Sequence, residues 1–279
     1  HVGSGPSLTG ATLGRVSIPV LLSTSSVFPE PTAAAFEVAA KLGYDGVEVM
    51  VWTDAVSQDA DALAGLSSHY GVPVRSVHAP CLLVTQRVWG GDPVTRLRRS
   101  ADLATALDAG VVVVHPPFGW QREYARAFPE LLTTLEAEYP RLRFAVENMY
   151  PVRMARREFV PYTPGWDPTR AGYKSYTLDI SHCAAARADA LAMADAMGSG
   201  LAHVHLGDGT DKGRDEHLVP GRGTQPCAEL LQSLPGRGFT GTVAVEVATR
   251  RAPSRQAREA DLAETLQFAR THLGTPVGA

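Results

Sequence analysis

The chain has 279 residues, a length that suits one closed α/β barrel. Its hydrophobic fraction of 44% and charged fraction of 20% are ordinary for a soluble globular protein, so a large core is available. A formal net charge of −3 gives no global electrostatic pull toward nucleic acid, and no apolar run approaches the roughly 20 residues that cross a bilayer. No signal peptide is expected ahead of the first strand, and no protein partner is expected. Cys81, Cys183 and Cys227 are too few and too odd in number for a disulfide framework, which fits a reducing cytoplasm.

The Gly/Ser-rich start, residues 1–15, reads as a flexible tail before a single unit spanning 16–279. From there the sequence alternates. Strand Val16–Ser23 precedes helix Pro31–Lys41, Gly46–Val51 precedes Asp59–Tyr70, and Val74–His78 precedes Val94–Ala109. Val111–His115 precedes Arg122–Glu138, and Arg143–Glu147 runs into a long loop, Tyr150–Lys174, with arginines among aromatic residues. Ser175–Ile180 precedes Ala184–Met197, Ala202–Leu206 precedes Pro226–Leu234, and Thr242–Val247 precedes Arg255–His272.

Eight strands with helices between most of them imply a parallel sheet with right-handed crossovers. A doubly wound open sheet would carry a glycine-rich phosphate turn after its first strand, and Thr-Ser-Ser-Val-Phe-Pro stands there instead. The expected fold is a single (β/α)8 TIM barrel. Loop 150–174 emerges at the catalytic end, where long loops are functional or disordered.

Ligand-type residues recur at the strand ends. His78 ends the third strand, His115 the fourth and Glu147 the fifth; Asp179 and His182 follow the sixth. His205 ends the seventh, with Asp215 and His217 just beyond, and Glu246 ends the eighth. In a barrel these ends converge on one face. Imidazole and carboxylate suit Zn²⁺ or Mn²⁺, and several buried carboxylates in one mouth repel one another without a cation. Each residue also has a plainer role: a rim hydrogen bond for one histidine, a helix start for Asp179 and His182, an arginine partner for Glu246. Those roles would have to hold separately on six successive strands, always at the same end. Glu48, on the second strand, is expected to line the cavity floor or bind substrate. His203, two residues deeper than His205, is assigned to hydrogen bonding in the barrel core.

At these positions the sequence resembles endonuclease IV (AP endonuclease family 2) and the xylose-isomerase-like TIM barrel superfamily, which includes sugar phosphate isomerases and epimerases. The resemblance to endonuclease IV implies three Zn²⁺ ions. His78 and His115 would hold the first, with Glu147 bridging to a second held by Asp179, His205 and Glu246. His182, Asp215 and His217 would hold the third. Asp215-x-His217 followed by Gly221-x-Gly223 is the most specific element. The superfamily's sugar isomerases and epimerases need only Glu147, Asp179, His205 and Glu246.

The leading expectation is therefore metal-dependent hydrolysis of a phosphoester, in abasic DNA or a small molecule, with Glu147 positioning a hydroxide. Arg222 then contacts phosphate, or is a solvated turn residue. The alternative is a sugar or sugar-phosphate isomerase or epimerase with Glu147 and Glu246 as the acid/base pair. Trp52, Phe118, Trp120 and Trp166 would then wall a sugar pocket.

Overall fold

The computed structural model describes residues 17–154 and 157–274. The proposed tail, 1–15, and the start of the first strand at Val16 lie outside them. Among the described residues ten strands are formed: β1 Val20–Ser23, β2 Gly46–Met50, β3 Val74–His78, β4 Val111–Val114, β5 Arg143–Glu147, β6 Val152–Met154, β7 Arg157–Phe159, β8 Ser175–Asp179, β9 Leu201–Leu206 and β10 Thr242–Val245. All but β6 and β7 close into one parallel barrel in the order β1-β10-β9-β8-β5-β4-β3-β2. The helices are α1 Thr32–Leu42, α2 Ala60–Tyr70, α3 Pro93–Ala106, α4 Arg122–Glu138, α5 Ile180–Ala186, α6 Ala190–Met197, α7 Cys227–Ser233 and α8 Arg255–Leu273.

Period-two alternation along each strand divides the core. Val112 and Val114 on β4, Phe144 and Val146 on β5, Leu178 on β8 and Val204 and Leu206 on β9 belong to the large apolar cluster shared with the helices. Val111, Val113, Ala145 and Ala202 form a separate small cluster, the apolar filling of the barrel. The polar residues Glu48, Ser76, Thr177 and His203 are fully buried; His78, Asp179 and His205 follow two positions after Ser76, Thr177 and His203 on β3, β8 and β9, and Glu147 two after Ala145 on β5. The register pairs Asp179 with His205, and His205 with Ala244, so these ends come level at the mouth.

Two expectations need correction. The single helix 184–197 is two helices: Arg187 takes a left-handed φ of 57°, and the Asp189 side chain caps a new start by accepting from the N–H groups of Leu191 and Ala192. The first helix also begins earlier, because Asp179 accepts from the His182 N–H and starts α5 at the strand's end. The long loop 150–174, expected at the catalytic end, carries structure of its own among the described residues. It forms the β6–β7 hairpin, and Tyr162 bridges back to Phe118 on the loop after β4. Among the described residues no helix is long and apolar enough to cross a membrane.

Candidate metal centre

The nine ligand-type residues singled out in the sequence come together at the C-terminal mouth. Nδ1 of His205 lies 2.8 Å from Glu147 Oε1, 3.0 Å from Glu246 Oε2 and 3.5 Å from Asp179 Oδ2. Nε2 of His115 lies 2.9 Å from Glu147 Oε2, and Nε2 of His78 lies 3.5 Å from the same oxygen. Asp215 Oδ2 stands 3.0 Å from His217 Nε2 and 3.5 Å from His182 Nε2. Bonds of ~2.0 Å to a tetrahedral ion leave ligand atoms about 3.3 Å apart, so these spacings resemble the edges of coordination polyhedra.

The donors also group as metal sites require. His78, His115 and Glu147 form one set of mutually close donors, Glu147, Asp179 and His205 a second, and Asp179, His182 and His217 a third. Buried Asp179 Oδ2 receives no hydrogen bond, and Glu147 Oε2 meets His115 Nε2 at 2.9 Å but out of hydrogen-bond alignment. Lone pairs left this way, deep in a barrel, fit coordination of a cation better than solvation.

Ring orientation supports the same fit. Nδ1 of His78 lies 3.0 Å from the Ala79 carbonyl oxygen, Nδ1 of His182 2.8 Å from that of Asn148, and Nδ1 of His217 2.9 Å from that of Glu246. A carbonyl only accepts, so each Nδ1 carries the proton and leaves an Nε2 lone pair for a cation.

Without a cation, protons balance the carboxylates. Burial opposes charge on His205, yet Glu48, Glu246 and Glu147 lift its pKa well above the ordinary value. His182 is likewise disfavoured as a cation by burial but raised to about 10 by Asp179 and Asp215. Burial works against ionised Glu147, but the positive His205, its hydrogen bond and the close His115 imidazole hold the carboxyl well below the usual range. For His115 burial prevails and the pKa falls.

Several supporting residues escaped the sequence reading. Asn148 clamps Asp179 by accepting from its N–H at 2.8 Å and donating to its carbonyl at 3.0 Å. Ser181 donates to Asp215 at 2.7 Å, and Ser25 donates to Glu246 at 3.0 Å. The signal for the first two was adjacency: Asn148 follows Glu147, and Ser181 stands between Asp179 and His182. Buried Asp208 accepts from the N–H groups of Gly209, Gly221, Gly223 and Gln225 at 2.8–3.1 Å. A Cβ on Gly223 would lie 2.3 Å from Asp208 Oδ1, so that glycine is a packing requirement of the loop carrying Asp215 and His217.

Of the three residues offered for substrate binding, Arg222 and Trp120 lie off the cavity wall, and Glu48, expected at the cavity floor or on substrate, lies below the ligand cluster. Arg222 lies outside the mouth cavity, paired with Glu264 at 2.6 Å and Asp261 at 2.8 Å, because the Gly-Arg-Gly turn directs its side chain to α8. Trp120 is 57% exposed and stacks on Phe118 with ring centroids 4.4 Å apart. Phe118 stacks in turn on Tyr162, which does line the cavity. Glu48 is fully buried beneath the ligand cluster, with His203 and His205 against its carboxylate. Of the aromatic residues proposed as walls, Trp52 lines the cavity of about 830 Å³, with Tyr150 and Tyr162 in place of the others. Arg250 reaches it too.

A closed parallel barrel with carboxylates and imidazoles at its mouth defines a class of barrel whose ligands converge from the strand ends. The chain belongs to the xylose isomerase-like TIM barrel family, whose model matches residues 36–272. An uncharacterized protein of Mycobacterium tuberculosis is 52% identical over 278 residues, covering 93% of this chain and 99% of its own. Among solved structures, a D-tagatose 3-epimerase-like protein is similar with a TM-score of 0.64 and 21% identity, over 91% of this chain and 99% of that one. D-psicose 3-epimerase of Clostridium cellulolyticum is similar with a TM-score of 0.63 and 17% identity, over 92% and 99%. At such identities these likenesses concern the fold.

Proposed function

We propose that this protein is a metal-dependent epimerase or isomerase acting on a sugar or sugar derivative. The observation that carries it is the convergence of Glu147, Asp179 and Glu246 on Nδ1 of His205, all within 3.5 Å. These four residues would hold one divalent ion, Zn²⁺ or Mn²⁺. Such an ion polarises a substrate carbonyl and so acidifies the neighbouring C–H. Glu147 and Glu246 approach His205 from β5 and from the end of β10, on either side of β9 and β8 in the barrel order. One carboxylate can take the proton from the carbon beside the carbonyl, and the other can return one to the opposite face. Return to the same carbon gives epimerisation; return to the former carbonyl carbon, with the hydroxyl proton passing to the former carbonyl oxygen, gives isomerisation. The hydroxyls of Ser25, Tyr150 and Tyr162 on the cavity wall suit a polyol.

The similar solved structures include epimerases, which reverses the order of the two readings drawn from the sequence. Phosphoester hydrolysis stands second, and abasic DNA is no longer the favoured substrate. One observation keeps it open: Asp215 and His217 line the same cavity beside His182, donors beyond the four that a one-metal isomerase needs for its ion. The test is turnover by zinc- or manganese-loaded protein of ketoses, ketose phosphates, an aryl phosphodiester and an abasic-site duplex. Metal-dependent conversion of a sugar supports the proposal. Cleavage of a phosphoester with no sugar turned over would contradict it.

A further inference from the structure

Beneath the ligand cluster the barrel encloses a second polar group. Glu48, Ser76, His203 and His205 are each 0% exposed. Glu48 Oε1 lies 2.9 Å from His205 Nε2 and Oε2 lies 2.8 Å from His203 Nε2, contact distances at which neither imidazole nitrogen is aligned as a hydrogen bond, so a small ring rotation of His205 completes one; Oε2 also accepts from the Ser76 hydroxyl at 2.7 Å. Nδ1 of His203 meets the Thr242 hydroxyl at 2.8 Å, which ends the chain of contacts. A carboxylate at this depth is costly unless something requires it.

His205 supplies the requirement. It faces the mouth with Nδ1, whereas His78, His182 and His217 turn Nδ1 to backbone carbonyls and offer Nε2. Its side chain reaches into the barrel, where strand carbonyls are directed along the sheet to neighbouring strands and cannot receive its Nε2 proton. Only a side-chain acceptor can.

We propose that Glu48 is a positioning residue for metal binding: it keeps the His205 proton on Nε2 and so directs the Nδ1 lone pair at the site formed with Glu147, Asp179 and Glu246. The inference rests on the reading that those residues hold a metal. Ser76 and His203 occupy the other carboxylate oxygen and keep the group from rotating away.

The experiment measures zinc affinity by competition with a chromophoric chelator for wild type, Glu48→Gln and Thr242→Val. Glutamine keeps the shape but removes the charge and one acceptor: with its NH2 group on His205 it moves the proton onto Nδ1, and with its oxygen there it withdraws the carboxylate charge that makes Nδ1 a strong ligand. Affinity in Glu48→Gln should fall at least about tenfold, the scale of lost outer support. Thr242→Val disturbs the same buried layer without touching Glu48 and should bind zinc as wild type does. Wild-type affinity in folded Glu48→Gln, or an equal loss in Thr242→Val, would overturn the inference. Should Glu48→Gln fail to fold, ¹⁵N-histidine spectra of zinc-loaded wild type decide instead. A metal-bound Nδ1 with a protonated Nε2 on His205 supports the inference, and the reverse overturns it. Wild type that binds no zinc would overturn both this inference and the metal reading beneath it.

Discussion

Glu147 Oε1 and His205 Nδ1 stand 2.8 Å apart although β8 lies between their strands. Residues two strands apart meet so closely only because both project inward at the same height of a closed barrel. With a side-chain period of two, a one-residue slip would turn either side chain into the helix layer. Barrel closure therefore builds the site, and charge balance at the site feeds back on the barrel. Removing bound ions would leave Glu147, Asp179, Asp215 and Glu246 crowded at one mouth. Chelation should lower the melting temperature, and zinc or manganese should restore it in a concentration-dependent way. A melting curve unchanged by complete demetallation would count against this coupling.

Glu246→Gln separates metal holding from proton transfer. The amide oxygen still reaches a cation, and Ser25 can still donate to it. It cannot accept a proton from carbon at neutral pH. The expected result is a kcat lower by about 10²- to 10⁴-fold with metal content retained. Elemental analysis beside steady-state kinetics checks it, and near-normal kcat would remove Glu246 from the acid/base pair.

Asp215 and His217 distinguish the two chemistries. In an epimerase they sit at the side of the cavity and help hold substrate, so His217→Ala should raise KM and largely keep kcat. In a phosphoesterase the same change removes stabilisation of developing charge, and kcat should drop by roughly 10²-fold or more.

Metal binding should respond to pH. Burial disfavours charge on His182, but Asp179 and Asp215 raise its pKa to about 10 in the metal-free fold. The folded value lies above the unfolded one of about 6.5, so protonation stabilises the metal-free fold fully below about pH 6.5. That contribution fades as pH rises toward 10. A liganding imidazole must lose its proton, so loading favours higher pH. Zinc affinity should rise between about pH 6 and 8 with proton release. Calorimetry in buffers of different ionisation heat measures the release; proton-neutral binding would contradict the assignment.

Asp208 ties the loop after β9 through four backbone N–H groups, two of them from the Gly-x-Gly pair. Asp208→Ala should cost about 3 kcal/mol or more, since bonds to a charged acceptor are each worth roughly 1.5–3 kcal/mol. Denaturant unfolding tests this. A loss under about 1 kcal/mol would mean that the loop holds without it.

The barrel was legible because continuous apolar strands such as Val111–Val114 alternate with amphipathic helices, and strand-end His, Asp and Glu residues share one rim by topology. Helix breaks at Arg187 and Asp189 were hidden, since an alanine-rich segment reads as helix throughout and a left-handed arginine leaves no local mark. Arg222 misled for a related reason: a turn residue's direction depends on α8, which supplies Asp261 and Glu264 from some forty residues away. Glu48 could be placed on its strand, but its partners His203 and His205 come from across the barrel. Tyr150 and Tyr162 line the cavity only because loop 150–174 folds back through the Phe118 bridge, a long-range contact without a sequence pattern.

The most direct measurement is deuterium wash-in. Metal-loaded protein is incubated in D₂O with a panel of ketoses and ketose derivatives, and ¹H NMR follows the C–H beside the carbonyl. Proton transfer by Glu147 and Glu246 leaves deuterium at that carbon whether or not the product can be resolved. Exchange should require the metal, stop on chelation and fall in Glu246→Gln. No exchange into any sugar, from protein that is fully loaded and that cleaves an aryl phosphodiester, would contradict the epimerase assignment.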